Sequence, residues 1–301
     1  MSWFYGNLHC HSTLSDGDSP PGDVARFYRE NGFDFVAITD HNHRTGPEDC
    51  GPPHAGFTVL GACEYSANAD GRPLHINGIG VHTAVAPAKD GDEHRPAMLR
   101  AALAEFRAQG AFTILNHPNW HWDLDAAELL SARGAHALEL WNGSLTCNNL
   151  GDEDHPSVEA LWDAVLTAGH RLWAVASDDC HRFGPKRNYR TDPPFSGWIG
   201  VDAASNSARD VVAALSAGHF YASNGPRLVS VVQQPNRYAV EVEPWDMVAH
   251  RLIFIGAGGR ELARMRGLSG SYVPRGDEGY VRCRIETGQG LCAWTQPMFL
   301  A

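Results

Sequence analysis

Two histidines one residue apart, His9 and His11, stand in the stretch Asn7-Leu8-His9-Cys10-His11-Ser12-Thr13-Leu14-Ser15-Asp16-Gly17. Side chains alternate along a strand, so both imidazoles point to one face and can reach one metal ion. Asp16 follows in a Gly-containing turn and adds a carboxylate nearby. His-x-His alone is a weak pattern, and the rest of the chain decides its meaning. His41, Glu64, His75, His117, Asp179 and His181 fall at or just after the carboxyl ends of expected strands, except His75, which lies early in its own. One such residue is more often an ordinary satisfied polar group than a ligand. Nine at matching positions point to a multinuclear metal site.

The elements that would position these groups follow from periodicity. After the opening strand, Pro20-Pro21-Gly22-Asp23 starts a helix that Asn31-Gly32 ends, and Phe33–Thr39 reads as a buried strand. Further strands are expected at Phe57–Cys63, Pro73–Val81, Ala111–Leu115, Ala137–Trp141, Leu172–Ser177 and Gly197–Val201. Helices are expected over about 94–109, 124–133, 156–168 and 208–217. Strand–helix alternation implies an α/β fold with a mostly parallel sheet, and strands this apolar suggest a barrel or a covered sheet. In parallel barrels the carboxyl-end rim carries the site. Beyond Gly225-Pro226 strands come without helices, which predicts residues 1–225 as the α/β unit and 226–301 as a small antiparallel, sandwich-like β module.

Composition narrows the function classes. A 301-residue chain can bury a sizeable core, and 16 histidines fit a metal enzyme. The formal net charge of −11 argues against holding long nucleic acid. Small anionic substrates stay open, because bound cations can supply local positive charge. Seven scattered cysteines with no Cys-x-x-Cys pair argue against a disulfide framework. With no signal peptide or membrane span read from the sequence, a cytoplasmic, membrane-free location is expected. The oligomeric state is left open.

The motifs His9-Cys10-His11, Asp16-Gly17, Thr39-Asp40-His41, Glu64, His75, Asn116-His117-Pro118 and Asp179-Cys180-His181 resemble the polymerase-and-histidinol-phosphatase (PHP) family of metal-dependent hydrolases. All nine ligand positions of that family's trinuclear site are filled. More narrowly, Asn116–Trp120, Glu139–Gly143 and Ala293–Pro297 resemble the CehA/McbA-like branch, which includes carbaryl hydrolase. The resemblance implies a distorted (β/α)7 barrel with two to three divalent metals at its rim. It implies that His9, His11 and Asp179 hold one ion and that His75 and His117 hold a second, with Glu64 bridging the two. Asp16, His41 and His181 would hold the third. Imidazole and carboxylate ligands suit zinc, manganese or iron without choosing among them. The chemistry expected is phosphoester hydrolysis by a metal-bridging hydroxide, with Glu64 and Asp179 as catalytic ligands.

Other residues near the rim have candidate roles. His43 can protonate a leaving group, since imidazole titrates near neutrality. Arg182, Lys186, Arg187 and Arg190 form a basic run; Arg182 and Arg187 would bind the non-reacting part of an anionic substrate. Trp120, beside His121 and Trp122, can stack on a base or an aromatic leaving group. Asn142 and Asn224 can hydrogen-bond substrate. Cys10, turned from the metals by alternation, reads as core.

The leading expectation is a metal-dependent phosphoesterase acting on a small phosphomonoester or phosphodiester. A carboxylic or carbamate ester hydrolase using the same metals is the alternative. A non-catalytic binding module is disfavoured because no ligand is lost. If the ligand division holds, His9→Ala and Asp16→Ala should each remove an ion, and not the same one. Metal analysis with anomalous difference maps of both variants checks this; loss of the same peak would contradict the division.

Overall fold

The computed structural model describes residues 3–87, 94–184 and 191–300. In chain order the main elements are β1 (Trp3–Asn7), α1 (Pro21–Glu30), β2 (Phe35–Ala37), β3 (Thr58–Leu60), β4 (Ala62–Ala69), β5 (Arg72–Ile79), α2 (Arg95–Ala108), β6 (Phe112–Leu115), α3 (Ala126–Ser131), β7 (Ala137–Asn142), α4 (Val158–Thr167) and β8 (Trp173–Ser177). There follow β9 (Trp198–Asp202), α5 (Ala208–Ala217), β10 (Phe220–Ser223), β11 (Leu228–Gln234), β12 (Arg237–Val242), β13 (His250–Gly256), β14 (Arg260–Arg266), β15 (Ser269–Tyr272), β16 (Tyr280–Thr287), β17 (Cys292–Thr295) and β18 (Met298–Phe299). No helix among the described residues is long and apolar enough to cross a membrane.

The strands form three sheets. One runs β14-β13-β16-β17-β10-β9-β1-β2-β3, with β18 against β16; a second runs β4-β5-β6-β7-β8; a third runs β11-β12-β15. The α/β class and the antiparallel addition at the carboxyl end match the sequence reading. A mostly parallel sheet does not: β4-β5-β6 pair antiparallel, as do β1-β9-β10, and only β1-β2-β3 and β6-β7-β8 are parallel. Nor do the ladders close a continuous ring among the described residues. Three single-residue bridges, Cys10–Cys180, His41–Glu64 and Thr45–Ala62, join the first and second sheets.

The expected strand Phe57–Cys63 is two strands in different sheets. β3 pairs with β2 and β4 pairs with β5, and the chain changes sheet at Gly61. The Gly61 carbonyl accepts the Gly80 and Val81 amides at 2.7 and 3.0 Å. A Cβ at Gly61 would lie 2.7 Å from the Val81 carbonyl oxygen, so the crossing needs glycine. A continuous apolar run cannot reveal such a change of partner.

The boundary expected at 225/226 falls inside a sheet. β17 pairs with β10, and β10 with β9, so the carboxyl-terminal strands extend the sheet that begins at β1. Trp198 and Tyr221 share a core cluster with Tyr238, Phe254 and Ile285. An ionic lock adds to this. Arg282 on β16 is fully buried and grips Asp163 of α4 with two bonds at 2.9 and 2.7 Å, and Glu159 at 2.7 Å. Its guanidinium lies 4.9 Å from the Trp162 ring centre. Tyr280 donates to Asp163 at 2.6 Å, and Arg284 meets Glu159 at 2.9 Å.

Burial alone would raise the Glu159 carboxyl, but Arg282 and Arg284 outweigh it and hold Glu159 below its ordinary value of 4.5. Its stabilisation is therefore present above pH ~4.5 and is lost as pH falls through the lower folded value. Thermal midpoints measured across pH 3–6 should fall in acid, with a shallower slope for Glu159→Gln. Arg282→Met should cost about 3–5 kcal/mol in urea unfolding, because it leaves Asp163 without a cation and Glu159 with Arg284 alone.

Candidate metal centre

β1 ends at Asn7 and a bend follows at Leu8, so the histidine pair lies past the strand on which it was expected; Leu8 and Cys10 are buried in apolar clusters, while His9 and His11 both face Glu64 and Asp179. The Asp179 amide donates to the His9 carbonyl and the His11 amide to the Cys180 carbonyl, both at 3.0 Å, while the Thr39 amide donates to Cys10 at 2.8 Å. The histidine pair thus lies at the seam of the first and second sheets. His41, just past β2, meets the second sheet through its bridge to Glu64 on β4. His75 lies early in β5 because β5 runs antiparallel to β4, pairing His75 with Ser66. The start of β5 therefore reaches the rim where its neighbours end.

All nine expected ligands converge. Four overlapping groups each have their ligand atoms within 4.8 Å of one another: His11, Asp16, His41 and His181; His9, His117 and Asp179; His9, His11 and Glu64; His41, Glu64 and His75. Glu64 is central and fully buried. Its Oε2 lies 3.5 Å from both His9 and His11 and 2.9 Å from His41. Its Oε1 lies 3.1 Å from His75 and 3.7 Å from His117, and accepts the Asn116 amide at 2.7 Å. Asp179 Oδ1 lies 3.1 Å from both His9 and His11. Asp16 Oδ2 lies 3.6 Å from His41 and 3.5 Å from His181. The groups differ from the expected division: His75 and His117 fall into different groups although one Glu64 oxygen faces both, His11 also joins Asp16, His41 and His181, and Asp179 is grouped with His9 and His117.

Burial grades the cluster. His9, His11, Glu64 and His117 are buried, whereas His41, His75 and His181 are half-buried and the Asp16 side chain is 55% exposed. Burial disfavours charge on His9, but Asp179, Glu139 and Glu64 outweigh it and raise its pKa well above the usual value. His41 is likewise pushed up to about 10, against burial, by Asp16 and Glu64. His181 rises to about 9, chiefly through Asp16 and Asp179. Asp16, Asp179 and Glu64 stay well below the carboxylate range because the surrounding histidines outweigh burial. His11 is lowered by burial and by neighbouring His181. The neighbouring carboxylates thus favour positive charge on His9, His41 and His181, while His11 is held back from it.

The donor set fits divalent ions. His9 Nε2, Glu64 Oε2 and His117 Nδ1 are buried without a hydrogen-bond partner. Such atoms are costly unless something binds them, and imidazole nitrogen with carboxylate oxygen is a transition-metal ligand set. Two ligands also have left-handed backbones, His117 at φ 24° and Asp179 at φ 51°. Each costs of order 1–3 kcal/mol and persists where surroundings dictate it. The His117 amide is held by Glu139 at 2.8 Å and the Asp179 amide by the His9 carbonyl.

Glu139 is the site residue that motif reading missed. Its Oε1 meets His9 Nδ1 at 2.9 Å and also takes the Ser177 hydroxyl; Oε2 takes the His117 amide and, at 2.9 Å, the Asn142 side chain. It orients His9 from behind, leaving Nε2 for the centre. Its sequence signal was a lone carboxylate inside an otherwise apolar strand, Ala-Leu-Glu-Leu-Trp. Asp40 does similar work on the turn, accepting from the Ser12 amide at 2.8 Å and from the Ser12 and Ser15 hydroxyls at 2.7 Å each.

The remaining candidates divide. Trp120 is half-buried, its ring centre 5.2 Å from that of His75 and 5.0 Å from that of His117. Asn142 is not free to meet substrate: it is buried, its amide donates to Glu139 and Asp179, and its carbonyl accepts the Ser144 amide. His43 is exposed, and its imidazole joins none of the four ligand groups. The short Asp40–His43 turn sends it outward. Arg182 is 47% exposed and lies 3.5 Å from Asp192. Arg187, with Lys186 and Arg190, lies outside the described residues. Asn224 is buried at the end of β10 and accepts the Cys292 amide at 2.6 Å.

A two-domain protein from Bacteroides vulgatus ATCC 8482, whose crystal structure contains a predicted PHP-like metal-dependent phosphoesterase, superposes on 94% of this chain and 90% of its own, with TM-score 0.55 and 16% identity. A probable phosphatase from Enterobacter sp. (strain 638) is 29% identical over 200 residues, 57% of this chain and 77% of that protein. A 5'-3' exoribonuclease from Haemophilus influenzae is 32% identical over 75 residues, 24% of this chain and only 27% of its own length. The model of the PHP domain matches residues 7–170, a span carrying seven of the nine clustered side chains. With more than half its length in that match, the chain belongs to the PHP domain family.

Proposed function

We propose that this chain is a metal-dependent phosphoesterase that hydrolyses a small phosphomonoester or phosphodiester at the seam between its two main sheets. The observation that carries the reading is the convergence of nine imidazoles and carboxylates in four overlapping groups, among which His9 Nε2, Glu64 Oε2 and His117 Nδ1 are buried without a hydrogen-bond partner. The similarity to proteins named as a phosphatase and an exoribonuclease supports phosphate esters as the substrate class. Divalent ions, two or three by ligand count, would activate water and offset the charge on the phosphoryl group.

The chain's own residues have definable roles. Glu64 turns one oxygen toward His9, His11 and His41 and the other toward His75 and His117, which suits a bridging carboxylate. Asp179 serves the buried end. Asp16, His41 and His181 form the wetter end, where an anionic substrate can enter. Glu139 and Asn142 hold His9 and Asp179 in place. With His43 outside the ligand groups and Arg182 beside Asp192, neither proton delivery by the first nor substrate binding by the second carries this reading.

Cleavage of a carboxylic or carbamate ester would use the same groups, and the resemblance of Asn116–Trp120, Glu139–Gly143 and Ala293–Pro297 to the CehA/McbA-like branch makes it the second reading. A panel of p-nitrophenyl phosphate, bis-p-nitrophenyl phosphate and a p-nitrophenyl ester separates the two. Turnover of the phosphates should dominate, vanish on chelation and return with added metal. Glu64→Ala should abolish it, and substantial turnover by that variant would sink the proposal. Glu139→Ala should weaken metal binding by about 10- to 100-fold, read by titration with a competing chelator.

A further inference from the structure

The loop that follows His117 is strained in a way that ligation does not require. Besides His117, both His121 and Trp122 have left-handed backbones at φ 54°. Bulky non-glycine residues rarely adopt this conformation singly, and here two are adjacent. The loop is clamped from several sides. Trp122 stacks on His155 with ring centres 3.9 Å apart and planes 4° from parallel. Asp152 holds that imidazole at 2.8 Å. The Asn119 side chain donates to the Asn148 and Pro156 carbonyls at 3.0 and 2.9 Å. What this clamped loop presents is Trp120, against the two histidines that face Glu64 Oε1.

The neighbouring loops show apolar groups as well. Leu14 stands between His11 and Asp16 and is 39% exposed. Leu145 is 69% exposed; its amide donates to the Thr191 carbonyl, one residue from Asp192, which accepts the His181 amide. Leu150 is 80% exposed, two residues past Asn148, whose carbonyl takes the Asn119 side chain. One exposed leucine is ordinary, but these three sit on segments tied directly to ligand-bearing loops.

We propose that this rim is a subsite for an aryl group carried by the substrate, with Trp120 as its stacking wall. The proposal rests on the phosphoesterase reading and narrows it to esters of aromatic alcohols. A group bound at the His75–His117 side of the centre lies within one ring's reach of the indole, and offset or edge-on ring contacts favour an aryl over a methyl substituent.

The test uses non-hydrolysable probes, so it does not depend on turnover. Phenylphosphonate and methylphosphonate are titrated calorimetrically into the metal-containing protein and into Trp120→Ala, Trp120→Leu and Trp120→Phe, with metal content measured for each. The parent should prefer phenylphosphonate. Alanine and leucine should weaken phenylphosphonate by roughly 2- to 12-fold, the range of an aromatic pair, and leave methylphosphonate unchanged. Phenylalanine should restore most of the preference and keeps the question answerable if alanine disrupts the loop. Equal weakening of both ligands, or a leucine variant indistinguishable from the parent, overturns the subsite alone. Binding of neither phosphonate by the parent overturns the phosphoesterase reading together with it.

Discussion

A buried carboxylate faced on both oxygens by imidazoles is the constraint around which this protein is built. Glu64 is fully buried, and five histidines lie within 3.7 Å of its oxygens. Glu139 and Asp179 add two more carboxylates, likewise largely removed from water. Such a concentration of negative charge is tolerable only where opposite charge and hydrogen bonds balance it. Against burial, the neighbouring carboxylates raise His9, His41 and His181, and divalent cations would meet the same charge through the same side chains.

The seam between the sheets is what makes the centre possible. His9, His11, Asp16 and His41 follow strands of one sheet, while Glu64, His75, His117, Asp179 and His181 belong to strands of the other or to the segments that follow them. The sheets touch there through isolated bridges, two of which involve the ligand-bearing segments themselves, Cys10–Cys180 and His41–Glu64. A regular ladder would commit this backbone to extended pairing, whereas the single bridge at Cys10–Cys180 leaves room for the left-handed turn at Asp179. The graded burial has a physical consequence too. Charges at the His9–Glu64 end interact with little screening, and those at the Asp16 end share their field with water.

The carboxyl-terminal strands belong to this framework. They continue the first sheet through β10 and clamp α4 through Arg282, Asp163 and Glu159. Because α4 leads directly into β8, which ends beside Asp179, the lock fixes an element that delivers a ligand. Its worth lies in holding two layers in one arrangement as much as in net stability, since burying ions is itself costly.

Much of this was legible in the amino-acid sequence. Metal ligation demands particular residue types, and those at strand ends stand out against apolar runs, so the nine side chains that the structure brings together, His9, His11, Asp16, His41, Glu64, His75, His117, Asp179 and His181, could be picked out as ligand candidates without coordinates. Helix limits were readable for a similar reason: Ser157 and Ser207 cap their helices locally, and Gly218 ends α5 with a positive φ. What the sequence could not carry depends on non-local partners. Pattern alone could not divide Phe57–Cys63 at Gly61, because apolar periodicity is blind to which sheet a strand joins. It could not join residues 220–223 to 292–295, since strand pairing leaves no local mark. Nor could it show that Asn142 is spent on Glu139 and Asp179, or that His43 faces solvent. Residue type set what each group can bind, while the tertiary structure alone decided which atoms remain free to bind it, because hydrogen-bond partners and burial come from segments distant in the chain.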